Sequence, residues 1–129
     1  MSKRRPVIPK GFEFYYEQFH FAPAVRVGKM LYCSGQVGWE GPRTTPPTDP
    51  KAQFTLAFEN LRRVLEAAGA DFEDVVEIST FHVGMQHLAA FGEVKDGFLK
   101  APYPAWTAIG VSALFMPGLL VEIRATARL

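Results

Sequence analysis

The sequence predicts an α+β fold, a mixed β-sheet with two helices packed on one face. Three observations carry this. Residues 24 to 36, "AVRVGKMLYCSGQ", read as two short strands around the turn signal Gly28-Lys29. A strongly amphipathic stretch follows from Asp49 to Gly69. The C-terminal half then alternates β-branched runs with one more helical pattern.

Taken in order, the first hairpin alternates Leu31 and Cys33 with Tyr32 and Ser34, and "SGQ" closes its second strand. The segment "VGWEGPRTTPPTDP" places four prolines and two glycines in fourteen residues, which marks a loop. Asp49 is the expected N-cap of the first helix, with Pro50 at the first helical position, where its missing N–H is harmless. Phe54, Ala57, Phe58, Leu61, Val64, Leu65 and Ala68 repeat at i, i+3, i+4 and i+7, so they form one buried face. Gly69 is the stop signal.

"DVVEISTFHVG" reads as a strand, and a second helix is expected from about Gln86 to Leu99 with Leu88, Phe91, Val94 or Lys95, and Phe98 inward. Gly92 and Gly97 weaken its pattern. Two last strands, "WTAIGVSAL" and "LLVEIRATARL", flank the turn signal Pro117-Gly118. The strand from Trp106 to Leu114 carries no charge on either face, so it needs cover on both sides. Two helices on one sheet face leave the other open, and a second subunit is the expected cover.

At 129 residues the chain fits one domain, 1–129, with residues 1–20 as a partly flexible N-terminal extension. Fourteen basic and 13 acidic residues leave a formal charge of +1, which gives no electrostatic reason to expect nucleic acid. No apolar run approaches the ~20 residues that span a bilayer, so no membrane partner is expected either. "MSKRRPVIPKG" has a basic start with no apolar stretch behind it, unlike a secretory signal. The single cysteine, Cys33, has no internal disulfide partner, and a cytoplasmic location is the simplest expectation. It reads as a small core residue rather than a nucleophile.

His20, His82 and His87 lack metal-site spacing, and no phosphate-binding glycine loop or nucleophile elbow occurs; neither metal nor cofactor is expected. Glu122 is the most informative charge. It shares one face of the last strand with Leu120, Arg124 and Thr126, opposite Val121, Ile123, Ala125 and Ala127. It reads either as a solvent-facing carboxylate or as a general base at a subunit seam. Trp106 likewise reads two ways, as a core plug or as a pocket wall.

The blocks "AVRVGKMLYCSGQVG", "NLRRVLEAAGADFEDVVEISTFHV" and "VSALFMPGLLVEIRATARL" resemble the reactive-intermediate deaminase (Rid) family, also known as endoribonuclease L-PSP. The resemblance runs in order from about Phe21 to Leu129. It implies a chorismate-mutase-like fold and a homotrimer with a small-molecule cleft at each subunit interface. Deaminating members hydrolyse enamines and imines such as 2-aminoacrylate to a 2-keto acid and ammonia without a cofactor. In them an arginine clasps the substrate carboxylate, a glutamate holds the attacking water, and a tyrosine and an asparagine shape the cleft.

The resemblance makes Glu122 the catalytic residue and assigns Gly35 and Gln36 to the cleft through "SGQ". The arginine of the family's P-A-R-[ST] segment is replaced by Trp106 in Pro104-Ala105-Trp106-Thr107, with Tyr103 in the same loop. Phe21 stands in place of the tyrosine, and Gly92 falls where the asparagine would be. A cleft without a guanidinium disfavours 2-imino acids, since an unpaired carboxylate there costs several kcal/mol. Arg124, roughly 7 Å along the strand from Glu122, would either restore anion binding or neutralise the glutamate, the latter being favoured. Three functions follow: a divergent deaminase or hydrolase, a non-catalytic ligand-binding trimer, or an RNA-cleaving enzyme. The last is weakest because no basic–aromatic stripe is present.

Overall fold

The computed structural model describes residues 3–129. A six-stranded sheet runs in the order β1-β2-β3-β6-β4-β5, with β1 Arg5–Val7, β2 Ala24–Val27, β3 Met30–Val37, β4 Val75–His82, β5 Ala105–Gly110 and β6 Val121–Arg128. Every neighbouring pair is antiparallel except β4 and β5, which are parallel and joined through a helix. The α+β class and the mixed sheet are as expected.

The long helix α2, Pro50–Ala67, starts where the sequence places it. The Asp49 side chain accepts the Ala52 N–H at 2.9 Å, and Gly69 leaves the helix with φ +77°. Phe54, Ala57, Phe58, Leu61, Val64 and Leu65 are fully buried. Helix α3, Leu88–Phe98, follows a 3-10 turn at Met85–His87, so it begins two residues later than the pattern suggests. The two helices meet through aromatic rings: Phe58 stacks on Phe98 at 4.9 Å, and Phe91 lies 5.5 Å from both Phe54 and Phe58.

Both helices cover one sheet face. It presents Leu31 and Cys33 of β3, Ile78, Thr80 and His82 of β4, and Val121, Ile123, Ala125 and Ala127 of β6, all buried. Cys33 is a core residue, and burial pushes its thiol up to about 12. His82 is structural as well: its Nε2 hydrogen-bonds Thr80 Oγ1 at 2.7 Å, and burial lowers its pKa. The other sheet face has neither α2 nor α3 over it and exposes Tyr32 and Ile109.

Two buried polar side chains that periodicity did not single out tie the loops down. Gln53 donates to the carbonyls of Pro47 and Gly118 and accepts the Leu120 N–H. Asn60 donates to the carbonyls of Val37 and Trp39. A polar helix side chain is buried only when its hydrogen bonds are met, and here the partners are loop backbone. Gln53 thereby fixes the chain entering β6, and Asn60 the chain leaving β3.

Two expectations need correction. The strand expected from Trp106 to Leu114 ends at Gly110, and its last ladder-like contact is Val111 N–H to the His82 carbonyl at 2.9 Å. Its neighbour β4 ends at His82, so residues 111–114 have no strand to pair with. The last strand starts at Val121, because Leu120 is held by Gln53 instead. Within residues 1–20, of which Met1 and Ser2 lie outside the described part, β1 pairs with β2 and a short helix α1 forms at Glu13–Glu17. Arg63 of α2 anchors this segment: it donates to the Lys10 carbonyl at 2.8 Å and lies 4.1 Å over the Phe12 ring.

Candidate active site

A cavity of about 370 Å³ lies where β3, β6 and the α1 segment converge, lined by Tyr15, Phe19, Phe21, Gly35, Val37, Phe115 and Glu122. Its volume falls in the range of small-molecule sites. Four aromatic rings form its walls and one carboxyl group supplies its charge.

Glu122 reaches this place through a β-bulge. The register of β3 on β6 passes from Cys33 opposite Ala125 to Gln36 opposite Ile123, so Ser34 and Gly35 together face Arg124. The bulge turns Gly35 beneath Glu122. A Cβ on Gly35 would stand 2.4 Å from Glu122 Cδ, so the carboxylate lies directly on the glycine backbone. Ser34 completes the local frame: its hydroxyl donates to the Ala22 carbonyl at 2.6 Å and its N–H to that of Pro23 at 2.9 Å. These bonds hold the Phe21 segment against β3. Residue His20, at φ +61°, turns the chain from α1 into it.

Burial raises the Glu122 pKa above the ordinary carboxylate value. No ion pair to Glu122 forms among the described residues. The expected neutralisation by Arg124 is therefore not found: Arg124 sits on the same sheet face but is exposed, opposite Ser79. A nearby guanidinium would pull the carboxyl pKa down, and the shift is upward. Such a carboxylate is a stronger base than usual and suits proton transfer to or from a bound molecule.

Of the residues expected to form the site, the fold brings together Glu122, Phe21 and Gly35. Gln36 does not line this cavity: the bulge turns it to the helix side with Ile123, where it is 3% exposed. Trp106, Gly92 and Tyr103 do not line the cavity of their own chain. The register sets Trp106 beside Ile78 on the helix side, with its indole N–H donating to Thr80 Oγ1 at 2.9 Å. Lys95 Nζ lies 4.8 Å over its ring and Phe91 6.1 Å away, yet the side chain at the sheet edge stays 39% exposed. Gly92 adjoins Phe91 in α3 with open space where a Cβ would stand, and Tyr103 is 69% exposed in the loop before β5.

Tyr15, Phe19, Val37 and Phe115 complete the cavity and were not anticipated. The available signal was the i, i+4 pair Tyr15 and Phe19 in "EFYYEQF", one face of a helical turn. Among the described residues no group of three His, Cys, Asp or Glu could hold a metal ion, and no helix is long and apolar enough to cross a membrane.

Comparison with known proteins agrees with the fold. The family model for Endoribonuclease L-PSP matches residues 16–129. The chain is 37% identical over 131 residues to the RutC family protein YjgH of Escherichia coli strain K12, covering 100% of this chain and 98% of that one. It is 35% identical over 95 residues to a 2-iminobutanoate/2-iminopropanoate deaminase of Dermatophagoides farinae, covering 73% and 74% of the two chains. The solved structure of protein YJGH superposes with a TM-score of 0.89 at 36% identity, over 99% of this chain and 98% of that one.

Proposed function

The chain belongs to the Endoribonuclease L-PSP family, the Rid family, and from that premise we propose that it is a divergent deaminase or hydrolase acting on an uncharged imine or enamine. The observation that carries this reading is the Glu122 carboxylate, seated on Gly35 in an aromatic cavity without a paired cation. Glu122 takes a proton from a bound water as the water oxygen attacks the imine carbon. That proton passes to nitrogen to give a carbinolamine; its hydroxyl proton then moves to nitrogen by way of Glu122 as the C–N bond breaks, and the products are a carbonyl compound and ammonia.

The site is shared between subunits in this reading. Glu122, Phe21 and Gly35 form one half. Trp106, Gly92 and Tyr103 form a second half at the β5 edge, which meets the first only in a neighbouring copy of a homotrimer. The uncovered sheet face and the exposure of Trp106 support that assembly. Where the deaminating relatives carry a guanidinium, this cleft offers an indole, so a 2-imino acid gains no carboxylate clasp. We place the protein in the cytoplasm, where an unpaired cysteine stays reduced.

The test generates imines in the presence of the protein and follows ammonia release. Carboxylate-free imines should be hydrolysed faster with the protein than without it, and Glu122→Gln should abolish the difference. Acceleration of 2-aminoacrylate hydrolysis equal to that by an arginine-bearing relative would refute the proposed selectivity. If no imine is hydrolysed, the protein is a ligand-binding trimer and the catalytic reading falls.

A further inference from the structure

The cavity of Glu122 is walled by a tyrosine outside the segment where the family resemblance places one. Phe21 brings no hydroxyl, but Tyr15 of α1 enters the same wall, its ring 5.1 Å from that of Phe21 and 6.4 Å from that of Trp39. Phe12 and Phe14 fix the ring from behind, at 5.7 and 4.1 Å. The side chain is 7% exposed, and its hydroxyl makes no hydrogen bond to another described residue while staying open to water. A phenol held this firmly in the wall of a ligand-sized cavity can exchange water for an acceptor on a bound molecule.

We propose that Tyr15 is a ligand-binding hydrogen-bond donor of the Glu122 site, and that the pair selects a flat, uncharged molecule bearing an acceptor next to an N–H. This rests on the reading of the cavity as a small-molecule site. Glu122 accepts the N–H, Tyr15 donates to the neighbouring oxygen or nitrogen, and the rings of Phe19, Phe21 and Phe115 enclose the flat body. This half of the cleft disfavours an anionic ligand, because its lining contains a carboxyl group and no Lys or Arg. Burial pushes the Tyr15 phenol up to about 12, with the Arg63 charge opposing and the Glu122 charge adding to the rise. The group therefore keeps its proton throughout the neutral range. The N-terminal segment is thus part of the site, which explains why Arg63 of α2 is spent on holding it.

Benzamide carries the required acceptor and N–H on a flat ring; benzoate is its anionic counterpart and toluene its apolar one. Titrations followed by NMR should show wild type binding benzamide at least tenfold more tightly than benzoate. Tyr15→Phe should weaken benzamide about tenfold and leave toluene unchanged, while Glu122→Gln should admit benzoate. In wild type labelled at tyrosine Cζ, benzamide but not toluene should shift the Tyr15 resonance, a reading that needs no variant. Equal binding of benzamide by Tyr15→Phe, an unmoved Tyr15 resonance, or absence of benzamide binding overturns the proposal. If Glu122→Gln still abolishes imine hydrolysis in that case, only the role of Tyr15 falls. If benzamide binds as described and no imine is hydrolysed, only the catalytic reading falls.

Discussion

Trp106 and Glu122 lie on opposite faces of one sheet. Trp106 stands beside Ile78, which faces Ala125 on the helix side, whereas Glu122 faces Phe81 on the uncovered side. Side chains alternate along a strand, so no rotamer brings the two into one cavity of the same chain. Trp106 packs against the helix side of the sheet and leaves one edge exposed.

Replacing Trp106 therefore tests packing first. Trp106→Ala removes the contact with Phe91, the ring beneath Lys95 and the N–H donated to Thr80. It should cost about 2–3 kcal/mol, below the 3–5 of a fully buried aromatic because the indole is partly exposed. Urea unfolding measures this. A loss under 0.5 kcal/mol, about the size of an ordinary surface substitution, would mean that the indole contributes only to binding.

Gly35→Ala isolates the position of the carboxylate. The added methyl meets Glu122 Cδ, Cγ and Oε2, the far end of a flexible side chain, so the glutamate swings aside while the backbone is kept. Imine hydrolysis should fall at least tenfold, close to the Glu122→Gln level. The unfolding midpoint should change little. Unaltered turnover would show that Glu122 need not rest on Gly35.

The framework of the fold was legible because it rests on local signals. The Asp49-Pro50 start, the apolar stripe of α2 and the alternation of β6 each appear in the structure with only end shifts. The site was legible in half. Glu122 and Gly35 lie against one another, but Gln36 turns inward because a bulge shifts strand parity by one residue, and "SGQ" does not announce where the extra residue falls. Tyr15 was missed since α1 is five residues long and owes its place to Arg63, forty-eight positions away. Packing at that distance leaves no periodic trace in sequence.

Stability should follow Glu122 with a defined sign. Its pKa is raised in the folded state by burial, so the native protein binds more protons than the unfolded chain across the carboxylate range. The stabilising contribution is complete below the unfolded value and is lost as pH rises through the folded one. Glu122→Gln removes this dependence. The variant should unfold at a higher temperature than wild type at pH 7, and the gap should close as pH falls to about 4. A gap that widens toward acid would mean that a cation stabilises the carboxylate in the native state.

The open sheet face carries the last prediction. Tyr32 is 47% and Ile109 44% exposed, on the side that neither helix covers. Exposed apolar residues gathered on one face of a sheet mark an association surface. Light scattering after size-exclusion chromatography should give about three times the 14.4 kDa chain mass at micromolar concentration. Placing a charge there, as in Ile109→Asp, should release smaller species and abolish imine hydrolysis even though Glu122 and Tyr15 are untouched, because the half-sites separate. Mixed trimers reassembled from Glu122→Gln and Trp106→Ala subunits should then be more active than either variant alone, since some interfaces join an intact half from each. A stable wild-type monomer that hydrolyses imines would refute both the assembly and the division of the site.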